Sequence, residues 1–199
     1  MLNPIELIVI GGSAGALGPL LSLIPPLAQY VACPIVIALH LHPGQPSMLS
    51  TILSAACARA VVEAEDKAPL VERGIYVAAP NYHLLVERDR SLSLSIDPLV
   101  HHSRPAIDVL FETAADVYGG SLLGVLLSGA SVDGAEGLAR IHSAGGIAVV
   151  QAPESADSAT MPEAGIRRVG PAALVAWPAA LADLIIASCL KAARPKEYS

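Results

Sequence analysis

The chain has 199 residues and a formal net charge of −6, with 12 Lys and Arg against 18 Asp and Glu. This length is enough for a substantial core and fits a single domain over residues 1–199. The acidic balance argues against nucleic acid, or an anionic membrane surface, as the main partner. Cys33, Cys57 and Cys189 lie far apart and lack zinc-type spacing, which favours buried thiols in a reducing cytoplasm.

A long apolar stretch near the amino terminus raises the question of a membrane span. The mean hydropathy is +0.56, and residues 7–38 contain few polar side chains. Glycines and prolines divide this stretch into pieces of strand and helix length, whereas a spanning helix needs about 20 consecutive apolar residues. No basic segment typical of a signal peptide precedes it. We therefore expect a cytoplasmic protein without membrane insertion.

Apolar runs and turn residues alternate along the chain, and Ser47 and Ser103 stand where they could cap the second and third helices. In chain order, the predicted elements are a strand at 5–10, a helix at about 14–29, a strand at 34–40, a helix at about 47–58, strands at 61–65 and 74–80, an antiparallel hairpin of 83–89 and 91–96, a helix from Ser103 to about Tyr118, a strand at 121–129, a helix at 133–144, a strand at 145–151 and a helix at about 178–193.

This alternation predicts an α/β fold: a doubly wound, mostly parallel sheet with helices on both faces and a small antiparallel hairpin. Sites in such sheets form beyond the carboxyl ends of the strands, near the point where the strand order reverses. With the common order 3-2-1-4, the strands that lead to His40 and Asp133 flank the strand that leads to Ser13.

Ser13, His40 and Asp133 are therefore expected on one rim of the sheet, where they would form a nucleophile, a general base and an orienting acid. Backbone N–H groups at a helix start, close to Gly12 and Gly15, would stabilise an oxyanion beside Ser13. His40 can take the Ser13 proton at neutral pH and return it to a leaving alkoxide.

Each of these residues also has a less specific interpretation. A serine in a glycine-rich turn is often a helix cap or a phosphate ligand, although Ala14 breaks the dinucleotide-binding pattern of glycines. Asp133 could simply cap the next helix. His40 and His42, with His101 and His102, could bind a metal, but no carboxylate follows at a recognisable spacing. Nucleotide binding and metal binding are the less favoured hypotheses.

Six segments in register resemble the catalytic domain of the CheB-type chemotaxis protein-glutamate methylesterases. IVIGGSAGAL resembles the nucleophile turn of that family and LLGVLLSGASVDGAEGL its aspartate segment, with Ser13 and Asp133 on the catalytic positions. IALHLHPGQPSML resembles the histidine segment, with His40 on the catalytic position. The other matching segments are RGIYVAAPNYHLLVE, HHSRPAIDVLFETAA and GGIAVVQAPESADSATMP.

The resemblance implies a serine esterase that hydrolyses γ-glutamyl methyl esters on chemoreceptor helices and releases methanol. Some members of the family also deamidate receptor glutamines. The partner would be the cytoplasmic helices of methyl-accepting chemoreceptors, and no metal or organic cofactor is implied. The substrate and oxyanion region would comprise Gly12, Ala14, Gly15, His42, Arg104 and Met161.

Two departures from the family pattern motivate an alternative. Family members usually carry an amino-terminal receiver domain, whereas this sequence begins at the catalytic strand, so we expect control by a separate receiver or regulator protein. The family segment Thr-Gly-Met-Gly-x-Asp-Gly reads Ser-Gly-Ala-Ser-Val-Asp-Gly at 128–134, and Val132 needs a negative φ where glycine would be free. The alternative hypothesis is a catalytically degenerate module of the same fold that binds a receptor or signalling partner.

Overall fold

A computed structural model of the protein describes residues 3–40, 47–57 and 59–192. In this part of the chain, nine strands and six α-helices follow one another in a largely alternating order. The strands are β1 (Leu7–Gly12), β2 (Ile35–Leu39), β3 (Val61–Glu63), β4 (Ile75–Val77), β5 (His83–Val86), β6 (Leu92–Ser95), β7 (Leu122–Leu126), β8 (Ile147–Gln151) and β9 (Leu174–Ala176). The helices are α1 (Leu17–Tyr30), α2 (Leu49–Ala56), α3 (Ile107–Tyr118), α4 (Ala135–Ser143), α5 (Thr160–Val169) and α6 (Pro178–Ala192).

The main sheet has the order β3-β4-β2-β1-β7-β8-β9, and each of its strands pairs parallel to its neighbours. β5 and β6 form a separate antiparallel pair around the turn that contains Asp89 and Arg90. The predicted fold class is confirmed, as is the placement of the Ser13 strand between the strands that lead to His40 and Asp133.

The apolar runs that predicted the central strands are buried on both faces. β1, β2 and β7 are buried over their whole length, as expected for a parallel sheet covered on both sides. One core contains α1 and α6, and the other contains α3, on opposite faces of the sheet. Gly11 allows α3 to approach closely, because a Cβ on Gly11 would collide with the side chain of Ile107. The start of α3 thereby lies against the carboxyl end of β1.

The boundaries of two helices differ from the prediction at their caps. α2 begins at Leu49, and its N–H donates to the Ser47 hydroxyl at 3.2 Å, so Ser47 acts just before the helix as expected. Ser103 does not cap α3, and that prediction is wrong. α3 begins at Ile107, four residues after Ser103, beyond the reach of an N-cap side chain.

Candidate active site

The site lies at the carboxyl ends of β1, β2 and β7. The His40 N–H, just after β2, donates to Gly12 O at 3.1 Å, and the Ser13 N–H donates to Ser128 O at 2.8 Å. These two bonds continue the sheet for one residue beyond the paired strands. Ser13, His40 and the loop that leads to Asp133 therefore meet at one rim.

Ser13 opens a tight turn that ends where α1 begins. The Ala16 N–H donates to Ser13 O at 3.0 Å, and Gly15 adopts a φ of +80°, which favours glycine. The Ser13 amide itself is occupied by Ser128 O. Within the described residues, the amides of Ala14 and Gly15 have no hydrogen-bond acceptor. They are the amides of this turn that could bind an oxyanion.

His40 and Asp133 are in direct contact. His40 Nε2 lies 2.7 Å from Asp133 Oδ2, with 14% of the His40 side chain exposed and none of the Asp133 side chain. The short distance and the burial of the carboxylate fix the orientation of the imidazole ring. With Nε2 bound to Asp133, Nδ1 is the ring nitrogen that remains for proton transfer.

The Asp133 carboxylate also caps α3. Its Oδ2 accepts the Ile107 N–H at 2.7 Å and its Oδ1 accepts the Asp108 N–H at 3.0 Å. Burial acts to raise the pKa of Asp133, but the hydrogen bonds from His40, Asp108 and Ile107 outweigh it and hold the pKa below its ordinary value. Asp133 is therefore ionised at neutral pH and can stabilise an imidazolium at His40.

A second serine lies against the other side of the His40 ring. Ser103 Oγ is 3.3 Å from His40 Nδ1. In the described part of the chain, the Ser13 hydroxyl has no hydrogen-bond partner. The structure thus brings His40 and Asp133 into contact and places Ser13 on the same rim, while Ser103 occupies the nitrogen that a nucleophile would need.

Comparison with known proteins identifies the family of this chain. The sequence model of a family described as CheB methylesterase matches residues 8–185. The chain belongs to the CheB methylesterase family. A Leptospira interrogans protein, provisionally named a protein-glutamate methylesterase/protein-glutamine glutaminase, is 46% identical over 161 residues, which cover 81% of this chain and 83% of the relative. The resemblance stated from the sequence is confirmed.

Two further comparisons agree with this family. A protein of Symbiobacterium thermophilum named protein-glutamate methylesterase/protein-glutamine glutaminase is 34% identical, over 83% of this chain and 44% of that protein. The crystal structure of the Thermotoga maritima CheB methylesterase catalytic domain matches with a TM-score of 0.85 and 25% identity, over 92% of this chain and 98% of that domain. The fold described above is thus that of a CheB catalytic domain.

Three other residues predicted for the substrate region, Met161, Arg104 and His42, lie away from the His40–Asp133 contact or outside the described residues. Met161 is fully buried and its N–H donates to Gly129 O at 2.9 Å, so it packs behind the Ser13 turn. The Arg104 guanidinium donates to Ile96 O at 2.6 Å and to Asp97 O at 2.9 Å. A substrate contact for either residue remains a prediction. His42 lies outside the described residues.

The altered segment at 130–132 fits this fold without strained backbone. None of its three residues has a positive φ, and Gly134 takes the left-handed conformation, at φ +89°, just before α4. The Ser131 hydroxyl accepts the Asp133 N–H at 3.1 Å. The substitutions therefore leave Asp133 in contact with His40.

Ser128 supports the Ser13 turn, a structural role that its place in the 128–134 motif did not reveal. Its buried hydroxyl donates to Ala14 O at 2.7 Å and accepts the Ser158 N–H at 3.0 Å. Its N–H donates to Gln151 Oε1 at 2.9 Å. Ser128 thus ties the Ser13 turn to the loop before α5. In the sequence, the sign of this role was a serine directly after the apolar run of β7.

His101, Asp108 and Asp133 form the one group of potential metal ligands found in the described residues, with one ligand atom of each within 4.8 Å of the others. His101 Nε2 lies 3.2 Å from Asp108 Oδ2, and Asp133 already accepts three N–H donors. This donor set fits a hydrogen-bonded network better than a metal site. Across residues 3–40, 47–57 and 59–192, the structure has no helix with the length and apolar character of a membrane span.

Proposed function

We propose that the chain is a serine-dependent protein-glutamate methylesterase that acts on the cytoplasmic helices of methyl-accepting chemoreceptors. Its substrate is the γ-glutamyl methyl ester of a receptor side chain, and its products are a glutamate side chain and methanol. The observation that carries this proposal is the 2.7 Å contact between His40 and a buried, ionised Asp133, on the same rim as Ser13. The names of the CheB-family relatives support the substrate class.

The first half of the reaction forms an acyl-enzyme. Ser13 Oγ attacks the ester carbonyl carbon while His40 Nδ1 takes the hydroxyl proton. The amides of Ala14 and Gly15 donate to the oxyanion of the tetrahedral intermediate, and Asp133 stabilises the imidazolium. When the intermediate collapses, the bond to the methoxy oxygen breaks, and methanol leaves with the proton from His40.

The second half returns the free enzyme. His40 removes a proton from a water molecule, which attacks the carbonyl carbon of the acyl-enzyme. The bond to Ser13 Oγ then breaks, and His40 returns the proton to Ser13. The same steps deamidate a receptor glutamine if ammonia replaces methanol as the leaving group. The relatives are named both protein-glutamate methylesterase and protein-glutamine glutaminase, which favours this second activity.

The testing experiment compares methanol release from a methylated chemoreceptor fragment by the wild-type protein and by Ser13→Ala. Ser22→Ala is the matched control, because Ser22 lies on the exposed face of α1 and, among the described residues, donates only to Gly18 O within its own helix. We expect release by the wild type and the control, and none by Ser13→Ala, with all three proteins equally folded by circular dichroism. Release by Ser13→Ala at the wild-type rate would contradict the proposal. A degenerate binding module would bind the fragment and release no methanol in any of the three.

A further inference from the structure

The Ser103 hydroxyl lies within hydrogen-bond distance of His40 Nδ1, the nitrogen that accepts the Ser13 proton in the proposed reaction. Since Asp133 is ionised and bound at Nε2, the neutral ring carries its proton on Nε2 and a lone pair on Nδ1. The Ser103 hydroxyl, 3.3 Å away, therefore donates to Nδ1. Ser13 can deliver its proton to Nδ1 only when Ser103 releases that lone pair.

The backbone that carries Ser103 has an unusual conformation. The N–H groups of Val100 and Ser103 each donate to the other residue's carbonyl, at 3.2 and 2.9 Å, and close a two-residue turn. His101 and His102 form this turn with φ values of +48° and +62°. Such turns are dominated by Asn and Gly, because other residues rarely adopt positive φ. Strained backbone of this kind persists where the surroundings fix it, and it concentrates at functional sites.

Two anchors hold the turn in place, one on each side of Ser103. On one side, His101 Nε2 lies 3.2 Å from Asp108 Oδ2, and Asp108 Oδ1 accepts the Gly137 N–H of α4 at 2.7 Å. On the other side, Arg104 binds the carbonyls of Ile96 and Asp97 and also donates to Asn81 Oδ1 at 2.8 Å. The position of Ser103 is thus set from outside the strands that carry the triad.

We propose that Ser103 is a positioning residue for the general base. In the resting enzyme its hydroxyl donates to His40 Nδ1 and keeps the ring aligned with Asp133. When the ester binds, Ser13 replaces Ser103 as the donor to Nδ1. Once His40 is protonated, the Ser103 hydroxyl can rotate and accept from the Nδ1–H. This inference rests on the proposed methylesterase function and adds a residue to its machinery.

The direct test compares Ser103→Ala and Ser103→Thr with the wild type in the methanol-release assay. We expect Ser103→Ala to lower kcat roughly tenfold, a fraction of the 10²–10⁴ that a positioned general base contributes, with KM within about twofold of wild type. Ser103→Thr retains the hydroxyl and should restore most of kcat. Nitrogen-15 NMR of the His40 ring should show one tautomer, with the proton on Nε2, in the wild type and a mixture in Ser103→Ala.

Two outcomes would overturn the inference. One is a Ser103→Ala protein with wild-type kcat and an unchanged His40 tautomer. The other is a fluorophosphonate probe that labels Ser103 in place of Ser13, since Ser103 would then be the nucleophile. The Ser13→Ala variant, assayed alongside, separates the hypotheses. If Ser13→Ala retains activity, the proposed mechanism fails. If Ser13→Ala is inactive but Ser103→Ala has wild-type activity, only the role of Ser103 is refuted.

Discussion

Asp133 Oδ2 accepts the backbone N–H of Ile107 at 2.7 Å, so the acid that orients His40 also forms the cap of α3. The Asp108 N–H, next in the helix, donates to the other carboxylate oxygen. Two of the amides that a helix start leaves unpaired are satisfied by a residue from another part of the chain. The candidate active site and the start of α3 therefore depend on the same carboxylate.

Asp133→Asn is expected to lose both activity and stability. The Asn side chain has one acceptor oxygen and one NH₂ group. Its NH₂ group must therefore point at the N–H of His40, Ile107 or Asp108, where two donors would meet without an acceptor. We expect turnover to fall by up to about 10⁴-fold and the free energy of unfolding to fall by about 1–3 kcal/mol. Methanol release and urea unfolding, measured beside Ser13→Ala, check this. A variant as stable as Ser13→Ala would contradict the capping role.

Asp108→Asn is expected to change how stability depends on pH. Burial, reinforced by the charge of Asp133, raises the pKa of Asp108 to about 6, although the Gly137 N–H and His101 oppose the shift. The unfolded carboxyl titrates near 3.9. The folded state therefore holds this proton more tightly, and the free energy of unfolding falls as the pH rises from about 4 to about 6.

The asparagine variant does not ionise, and its Oδ1 can still accept the Gly137 N–H. The free energy of unfolding of Asp108→Asn, minus that of the wild type, should therefore increase as the pH rises through this range, by at most about 3 kcal/mol. Urea unfolding of both proteins at pH 4.5 and pH 7.5 measures the gain. An equal difference between the two proteins at both pH values would show that the Asp108 carboxyl contributes no pH dependence.

Gly15→Ala is expected to disturb the Ser13 turn. Gly15 has a φ of +80°, and an added Cβ would lie 2.5 Å from Asp157 Cβ and 2.8 Å from Ser128 Oγ. The left-handed backbone alone costs about 1–2 kcal/mol with a side chain, and displacement of Ser128 should lower kcat. Gly18→Ala is the control, because its Cβ would meet no atom of the described residues within 4 Å. If both variants unfold at the same urea concentration, the turn does not require glycine.

Arg104→Lys is expected to lower stability although it keeps the charge. The planar guanidinium reaches two carbonyls and the Asn81 side chain at once, which a single ammonium cannot reproduce. Hydrogen bonds to charged groups contribute about 1.5–3 kcal/mol each where they are shielded, so we expect a loss of about 1–2 kcal/mol for this partly exposed residue. Thermal unfolding and KM are measured together. An unchanged unfolding temperature with a raised KM would indicate the substrate contact predicted from the sequence.

The elements and site residues that sequence reasoning found are those with a strong local signal. Fully apolar runs marked β1, β2 and β7, and the assumption of the common strand order 3-2-1-4 placed the Ser13 strand between those of His40 and Asp133. α5 was missed because Pro162 and Gly165 weaken its helical pattern. A Cβ on Gly165 would lie 2.9 Å from Leu126 Cδ2, so the glycine lets α5 pack closely against β7. β9 is a short edge strand of three residues and gives too weak a pattern.

Local sequence patterns did not reveal the tertiary contacts of Ser103 and Asp133. Ser103 precedes a proline and a helix, which is typical of a cap, yet its hydroxyl lies on a histidine 63 residues away. Asp133 precedes α4, which suggested a cap for that helix, yet it caps α3. Tertiary contacts decided both cases, and the spacing of residues in the sequence carries no information on them.

The contact between His40 and Asp133 joins residues 93 positions apart in the sequence. Contacts of such separation form late in folding, because a long loop must close before they provide any stabilisation. A chain in which β1 had paired only with β2 would bring the Ser13 and His40 strands together, but it would lack Asp133 until β7 joined. Recovery of esterase activity during refolding should therefore follow the recovery of helical circular dichroism, so that enzyme activity reports completion of the sheet.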